Sequence, residues 1–328
     1  MVKSNSETII SEIHKARNEI LNELSKCIIG QKSILDLLLI ALLAGGHCIL
    51  HGVPGLAKTL IVQSLAKVLN LTFSRIQFTP DLMPSDITGT EVIEESKDGR
   101  KGFNFFKGPI FANIVLADEI NRTPPKTQAA LLQAMQEKSI TLYGKTYYLD
   151  LPFFVLATEN PIEQEGTYML PEAQLDRFLF NIDLDYPDFK DEVQIASKKT
   201  YFNDQTLKKV IDAKELIMYQ DFIENIPISD KIIEYVVTIV KNTRPQSNSS
   251  SYINDNVAYG AGPRASQNIV IAAKAHAALT GNYSVTKDNI KQITYPILKH
   301  RIILNFSAVS SRISTKDIID HAVEIADK

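Results

Sequence analysis

Several things are scarce in this sequence. Its 328 residues include two cysteines, Cys27 and Cys48, too few for a disulfide framework and in keeping with a reducing compartment. Neither sign of charge is in excess. The 35 Lys+Arg and 38 Asp+Glu leave a net charge of −3, which argues against a nucleic-acid binder that relies on a broad basic face. Long apolar runs are missing. The strongest, Leu37–Ala44 (LLLIALLA), falls far short of the ~20 residues that cross a bilayer and reads as a buried helix. Met1–Glu7 is polar and lacks the apolar core of a signal peptide. There are no internal repeats and no long low-complexity tract. A cytoplasmic chain without a transmembrane segment is the expectation. What is present is ordinary for a globular protein: 45% apolar and 22% charged residues, which exclude wholesale disorder. The length suits about two domains of roughly 150 residues each.

The first half alternates between helical and strand-like patterns. Glu7–Lys26 and the run up to Ala44 have helical spacing, and Gly45-Gly46 ends the second. His47–His51 reads as a strand that enters a glycine-rich turn, and Thr59–Leu69 as the helix after it, the start of an α/β unit. Phe73–Phe78, Ile114–Ala117, Phe153–Thr158 and Phe178–Leu184 read as further strands, two of them apolar enough to be buried in a parallel sheet. Thr90–Glu94 with Phe103–Phe106, and Ile140–Leu149 around Tyr143-Gly144-Lys145, read as hairpins. After Pro187 only helical periodicity is evident, with helices near Arg264–Leu279, Thr286–Ile302 and Thr315–Ala326. Asn242–Gly262 reads as an exposed loop. These patterns divide the chain into residues 1–186, an α/β core, and 187–328, an all-helical domain.

The chemistry gathers at strand ends. Gly52, Val53, Pro54, Gly55, Leu56, Ala57, Lys58 and Thr59 (GVPGLAKT), with Leu60 next in the helix, match the phosphate loop G-x-x-x-x-G-K-[ST], except that Ala57 stands at the second glycine. Such a loop points backbone N–H groups and a helix N-terminus at phosphate oxygens. Lys58 adds a point charge, and the Thr59 hydroxyl suits Mg²⁺. Ile114–Ala117 delivers Asp118 and Glu119 to a strand end, where α/β sheets hold ligands. Asp118 suits a hydrated Mg²⁺, and Glu119 suits a base that readies a water. Asn160, after another apolar strand, can hold that water or touch the γ-phosphate. Arg177, before the last strand, can spread charge over a transferring phosphoryl group; Arg122 competes for this role. Arg264, at a helix start in the second domain, suits a phosphate sensor on a lid.

In this order the signals resemble the AAA+ ATPases, and their wording resembles the MoxR family. The matching strings are Gly52–Thr59, Phe78–Val92 (FTPDLMPSDITGTEV), Gly108–Gln128 (GPIFANIVLADEINRTPPKTQ), Ala157–Pro161, Leu170–Phe178 (LPEAQLDRF) and Gly262–Ala265, within roughly residues 28–302. The resemblance implies a three-layer αβα P-loop NTPase (AAA+) core with a C-terminal all-helical lid, ATP and Mg²⁺ as ligands, and a homo-oligomeric, usually hexameric ring. It implies Walker A at Lys58 and Thr59, Walker B at Asp118 and Glu119, sensor 1 at Asn160, the arginine finger at Arg177 and sensor 2 at Arg264, in cis or in trans. It makes the two hairpins the helix-2 insert and the pre-sensor-1 hairpin, and it places Ile29 and Gly30 at the adenine. Ala57 is usual in the family. Glu159 stands where the family often has Gln, so its side chain should point away from the phosphates or toward Mg²⁺-bound water. Gly262 stands where the family often has Ser.

Family members remodel protein complexes or insert metal cofactors, often with von Willebrand factor A domain proteins as partners. The function expected is therefore a ring ATPase acting on protein clients. A nucleotide-gated scaffold with incidental hydrolysis and a DNA-translocating motor are the rivals, the latter disfavoured by the charge balance. His47, His51 and both cysteines read as structural, and Arg100 and Lys101 as a solvated hairpin tip.

Overall fold

A computed structural model describes residues 2–53, 55–95, 101–160, 167–197, 207–247 and 249–328. Pro54 of the loop and Arg100 of the hairpin tip lie outside them. In the first half the order is α1 (Val2–Leu24), α2 (Lys32–Leu43), β1 (Cys48–His51), α3 (Lys58–Val68), β2 (Phe73–Gln77), α4 (Pro84–Thr88), β3 (Gly89–Glu95), β4 (Lys101–Lys107), β5 (Ile114–Asp118), α5 (Pro125–Glu137), β6 (Ser139–Leu142), β7 (Lys145–Tyr148), β8 (Phe154–Glu159), α6 (Glu172–Leu175) and β9 (Phe180–Asp183). The second half holds α7 (Phe189–Ser197), α8 (Ala213–Glu224), α9 (Asp230–Asn242), α10 (Ser251–Asn256), β10 (Val257–Tyr259), α11 (Pro263–Leu279), α12 (Lys287–Leu298), β11 (Ile303–Leu304), α13 (Phe306–Ser310) and α14 (Thr315–Asp327).

Five strands form one parallel sheet in the order β2-β5-β8-β1-β9. Side chains of a strand alternate between faces, and the two apolar clusters divide on that period. Cys48, Leu50, Ile114, Leu116, Phe154 and Leu156 face α1, α2 and α3. Ile49, Val115, Ala117, Val155 and Ala157 face α5. The sheet is thus the middle of three layers, which is why its strands are apolar on both faces. The run Leu37–Ala44 is a buried helix, with Leu38 to Leu43 inside.

Both hairpins form, β3–β4 and β6–β7, each antiparallel. They lean on each other through a stacked Phe105–Tyr147 pair, 4.2 Å between ring centroids, and a Glu91–Lys145 ion pair at 3.6 Å. Beyond that contact Ile93 and Phe103 are exposed.

The second half is helical, and its apolar face is continuous with the cluster that covers α1–α3. Two readings need correction. Asn242–Gly262 is not an exposed loop: α10 and β10 lie in it, and Ile253, Val257 and Ala261 are buried. Its Asn and Ser mark local structure instead, since the Ser250 hydroxyl accepts from the Ile253 N–H at the start of α10. The helix read as ending at Ile302 stops at Leu298, and His300 and Arg301 turn inward to buried positions before β11 pairs with β10. One small antiparallel pair therefore accompanies the lid helices.

Candidate functional site

The parallel sheet sends the C-terminal ends of its strands to one edge. Strand register aligns His51 with Glu159 and Asp183, and Gln77 with Asp118. The loop after β1 starts at Gly52, where a Cβ would stand 2.8 Å from the Leu184 carbonyl oxygen. Gly55 has φ +90° and Ala57 φ +57°. A left-handed Ala costs roughly 1–2 kcal/mol, a strain of the kind retained at working sites. It turns the chain into α3, whose first N–H groups have no helical partner and carry the positive end of the dipole. The Lys58 ammonium donates to the Gly52 carbonyl. Burial lowers its pKa, and Asp118 and Glu119 pull the other way.

Opposite lie the acids. Asp118 Oδ2 accepts from Arg75 Nη2 at 2.7 Å and Nε at 3.1 Å, and its Oδ1 accepts from the Thr158 hydroxyl at 2.6 Å. The Glu119 N–H donates to that same hydroxyl at 2.9 Å. Glu119 itself is left-handed, φ +58°, which turns its carboxylate off the strand line. Oε2 accepts from Gln77 Nε2 at 2.8 Å and Arg122 Nη1 at 2.9 Å. Asn160 is buried just beyond β8. Together Lys58, Thr59, Asp118, Glu119 and Asn160 line a cavity of about 470 Å³, with Arg75 and Thr158. These five residues read from the sequence thus converge with Gly55, Ala57 and Leu60, and three were missed: Arg75, Gln77 and Thr158. Arg75 and Gln77 flank Ile76 on a two-residue period, which puts both on one face of β2. Only the strand order places that face against Asp118.

A second cavity, about 340 Å³, shares Gly55, Ala57 and Leu60 with the first and is walled by Ile28, Ile29, Leu56, Tyr186 and Ile195. Ile29, which the resemblance places at the adenine, thus lines this second cavity. Gly30 beside it has φ +77° and passes Asp191 so closely that a Cβ would sit 2.2 Å from Oδ2. A charged cleft joined to a narrow apolar one suits a triphosphate attached to a flat base. Thr59 and Asp118 offer the hard oxygen donors that Mg²⁺ takes. Among the described residues no group of three or more His, Cys, Asp or Glu could hold a metal unaided, so an ion here would draw its other ligands from phosphate and water.

Glu159 turns to His51, whose Nε2 is 3.2 Å from Oε2. Burial lifts the Glu159 pKa to about 7. Burial first, then Lys299 and Lys58, drop that of His51 to about 4, against Asp183. Between about pH 4 and 7 the pair is therefore a neutral hydrogen bond, the Glu159 O–H donating to Nε2, rather than an ion pair. His47 is buried and structural, its Nδ1 accepting from the Val155 N–H at 3.1 Å.

Arg177 and Arg264 do not join the first cavity. They line a third, of about 320 Å³, with Gly46, His47, Lys138 and Asp176. Arg264 Nη1 donates to Asp176 Oδ2 at 3.0 Å, and Arg177 Nη1 to the Leu132 carbonyl at 2.9 Å. His47 precedes β1 and Asp176 precedes β9, so this cavity opens at the N-terminal edge of the sheet.

Residues 47–180 match the family described as "ATPase family associated with various cellular activities (AAA)", and residues 250–322 match "AAA lid domain". "Chaperone MoxR1" of Mycobacterium tuberculosis is 40% identical over 97% of this chain and 84% of its own length. "Protein MoxR" of Paracoccus denitrificans is 28% identical over 90% of this chain and 91% of its own. A crystal structure from Cytophaga hutchinsonii, of a protein described as an ATPase, superposes with a TM-score of 0.91. It is 42% identical, covering 99% of this chain and 98% of that one.

Proposed function

The chain belongs to the MoxR family of AAA+ ATPases, and from that premise we propose that it hydrolyses ATP with Mg²⁺ at sites completed between neighbouring copies in a hexameric ring. Residues 1–186 form the ATPase core and 187–328 the lid. One observation carries the reading: the groups such hydrolysis needs lie at opposite edges of one sheet. From His47 to Gly52 the chain advances five strand residues, about 16 Å at 3.3 Å each. That is beyond the reach of one arginine side chain, so Arg177 and Arg264 serve a neighbour's nucleotide. A surface used head to tail in this way builds a ring when the rotation between copies closes, as the family resemblance implies.

Each residue then has a task. The amides of Gly55 to Thr59 and the α3 N-terminus bind the phosphates, and Lys58 leaves the Gly52 carbonyl for the β- and γ-oxygens. Thr59 and Asp118 hold Mg²⁺, which would neutralise charge on those oxygens. Glu119, aimed by its left-handed backbone, accepts a proton from the attacking water, and Asn160 orients that water. Gln77 and Arg122 occupy the Glu119 carboxylate and must yield it for attack. The neighbour's Arg177 spreads positive charge over the phosphoryl group, and its Arg264 senses it. Ile29 and the apolar walls near it hold the adenine.

The chaperone designation of the mycobacterial relative favours remodelling of protein clients, and von Willebrand factor A domain proteins and cofactor-insertion partners are the clients that the family resemblance implies. The exposed Ile93 and Phe103 offer a client an apolar surface. No described helix is long and apolar enough to cross a membrane, in line with a cytoplasmic location. The test is a pair of measurements on Glu119→Gln. Titration calorimetry should show Mg·ATP uptake, and turnover should fall at least about 100-fold. Turnover at the normal rate, or no uptake, overturns the reading.

A further inference from the structure

Arg301 belongs to none of the motifs above, yet it is tightly engaged. Its side chain is 2% exposed, against 46% for Arg264. Its Nε donates to Asp176 Oδ1 at 2.7 Å. Its Nη2 donates to the carbonyls of Phe178 at 2.7 Å and Asp176 at 3.1 Å, and Nη1 to those of Leu179 at 3.4 Å and Ile297. His300 adds its Nε2, 3.2 Å from the Phe178 carbonyl. The carbonyls of the residues on either side of Arg177 are thus both held by a lid residue, while the Arg177 side chain rests on the Leu132 carbonyl.

An arginine that merely stapled lid to core could grip any surface. This one directs its donors at residues 176, 178 and 179 and at Ile297 of α12. A buried guanidinium keeps such a site only when its donors are satisfied, because leaving them unpaired is costly. Asp176 divides its carboxylate between this buried partner and exposed Arg264, both from the lid. Arg264 can therefore leave Asp176 for a phosphoryl group without uncovering a charge, since Arg301 retains the other oxygen.

We propose that Arg301 is a positioning residue, one that fixes the Arg177 segment to the lid so that lid angle sets how Arg177 meets the neighbour's nucleotide. The inference rests on the assignment of Arg177 to a neighbour's site. Lysine at 301 keeps the charge but cannot reach four carbonyls and a carboxylate at once. Arg301→Lys should lower kcat about tenfold or more and leave KM and ATP affinity within about twofold.

The deciding experiment mixes full-length chains. Arg301→Lys is combined one to one with Glu119→Gln, which lacks its own base but carries an intact Arg177. At random mixing in a ring, half the chains keep a base and half of those gain a sound neighbour, so activity should recover toward about a quarter of wild type. A purely structural lesion is not cured by a dead partner. Arg177→Ala mixed with Glu119→Gln is the companion. Recovery in both supports the proposal. Recovery in the companion alone overturns it and leaves Arg301 a staple. No recovery in either overturns the assignment of Arg177 to a neighbour and the proposal with it, as does wild-type activity of Arg301→Lys alone. Should Arg301→Lys fail to fold, Asp176→Asn takes its place. It keeps the carbonyls, weakens both arginine contacts, and is read by the same outcomes.

Discussion

The two charged cavities at the ends of the sheet are built on opposite plans. At the C-terminal edge, Lys58, Asp118 and Glu119 are held by bonds that ligand binding must exchange: a backbone carbonyl, Arg75, Gln77 and Arg122. Two left-handed residues, Ala57 and Glu119, set the aim. At the N-terminal edge, Arg177 sits on a segment held by the buried Arg301, and no residue from 176 to 179 has a positive φ. On the proposed reading, one cavity is rearranged by what it binds, the other presents a cation to a neighbouring copy, and neither is a complete hydrolytic site alone.

The largest expected effects separate the two. Glu119→Gln removes the base, and Arg177→Ala the external cation. Each should cost about 100-fold or more in kcat with ATP still bound. Only the first should also disable a site served by a wild-type neighbour. If Arg177→Ala instead weakens nucleotide binding to its own chain, the contrast between the edges is lost. A smaller effect sharpens the picture of the exchangeable edge. Arg75→Ala frees Asp118, so the Mg²⁺ concentration for half-maximal turnover should fall severalfold; a rise would show that Arg75 orients Asp118 for the ion.

Glu159 offers a test by pH. Its folded pKa of about 7 lies above the ordinary 4.5, so its contribution to stability is full below pH 4.5 and is lost as pH rises through 7. His51, lowered to about 4, works in the other direction, gaining from pH 4 to 6.5. Wild type hides one slope behind the other. Glu159→Gln should therefore gain stability relative to wild type between pH 4.5 and 7, by up to a few kcal/mol, in paired thermal melts. A difference flat in pH would mean that the carboxyl is charged throughout. The smallest effect is Ala57→Gly, which relieves the left-handed strain and loosens the unfolded chain. The two oppose each other, leaving a stability change within about 1 kcal/mol and near-normal turnover.

Residues that act through their own chemistry at a strand end were legible in the sequence. Lys58, Asp118, Glu119 and Asn160 each follow an apolar run, and a parallel sheet brings such ends together whatever the strand order. Arg75, Gln77 and Thr158 act by touching those groups, and that depends on β2 lying beside β5 and β8 beside β5. Order is a tertiary fact that one strand's pattern does not carry. Arg301 lies in Lys299-His300-Arg301-Ile302, which looks like a polar helix end; its burial comes from how α12 meets the segment before β9. The segment Asn242–Gly262 has the Asn, Ser and Gly composition of a loop, and only the four-residue spacing of Ile253, Val257 and Ala261 signals its buried face. Whether Arg264 serves its own or a neighbour's phosphates was open in the sequence, and the placement of residues 47 and 176 at strand starts puts both arginines away from the phosphate cleft.

The idea that one chain holds two half-sites is tested most directly by specific ATPase activity as a function of protein concentration, with mass measured by sedimentation on the same samples. Activity per chain should rise steeply in step with assembly and be close to zero for the separated chain. A chain that sediments as a monomer and hydrolyses ATP at the full specific rate would contradict the account.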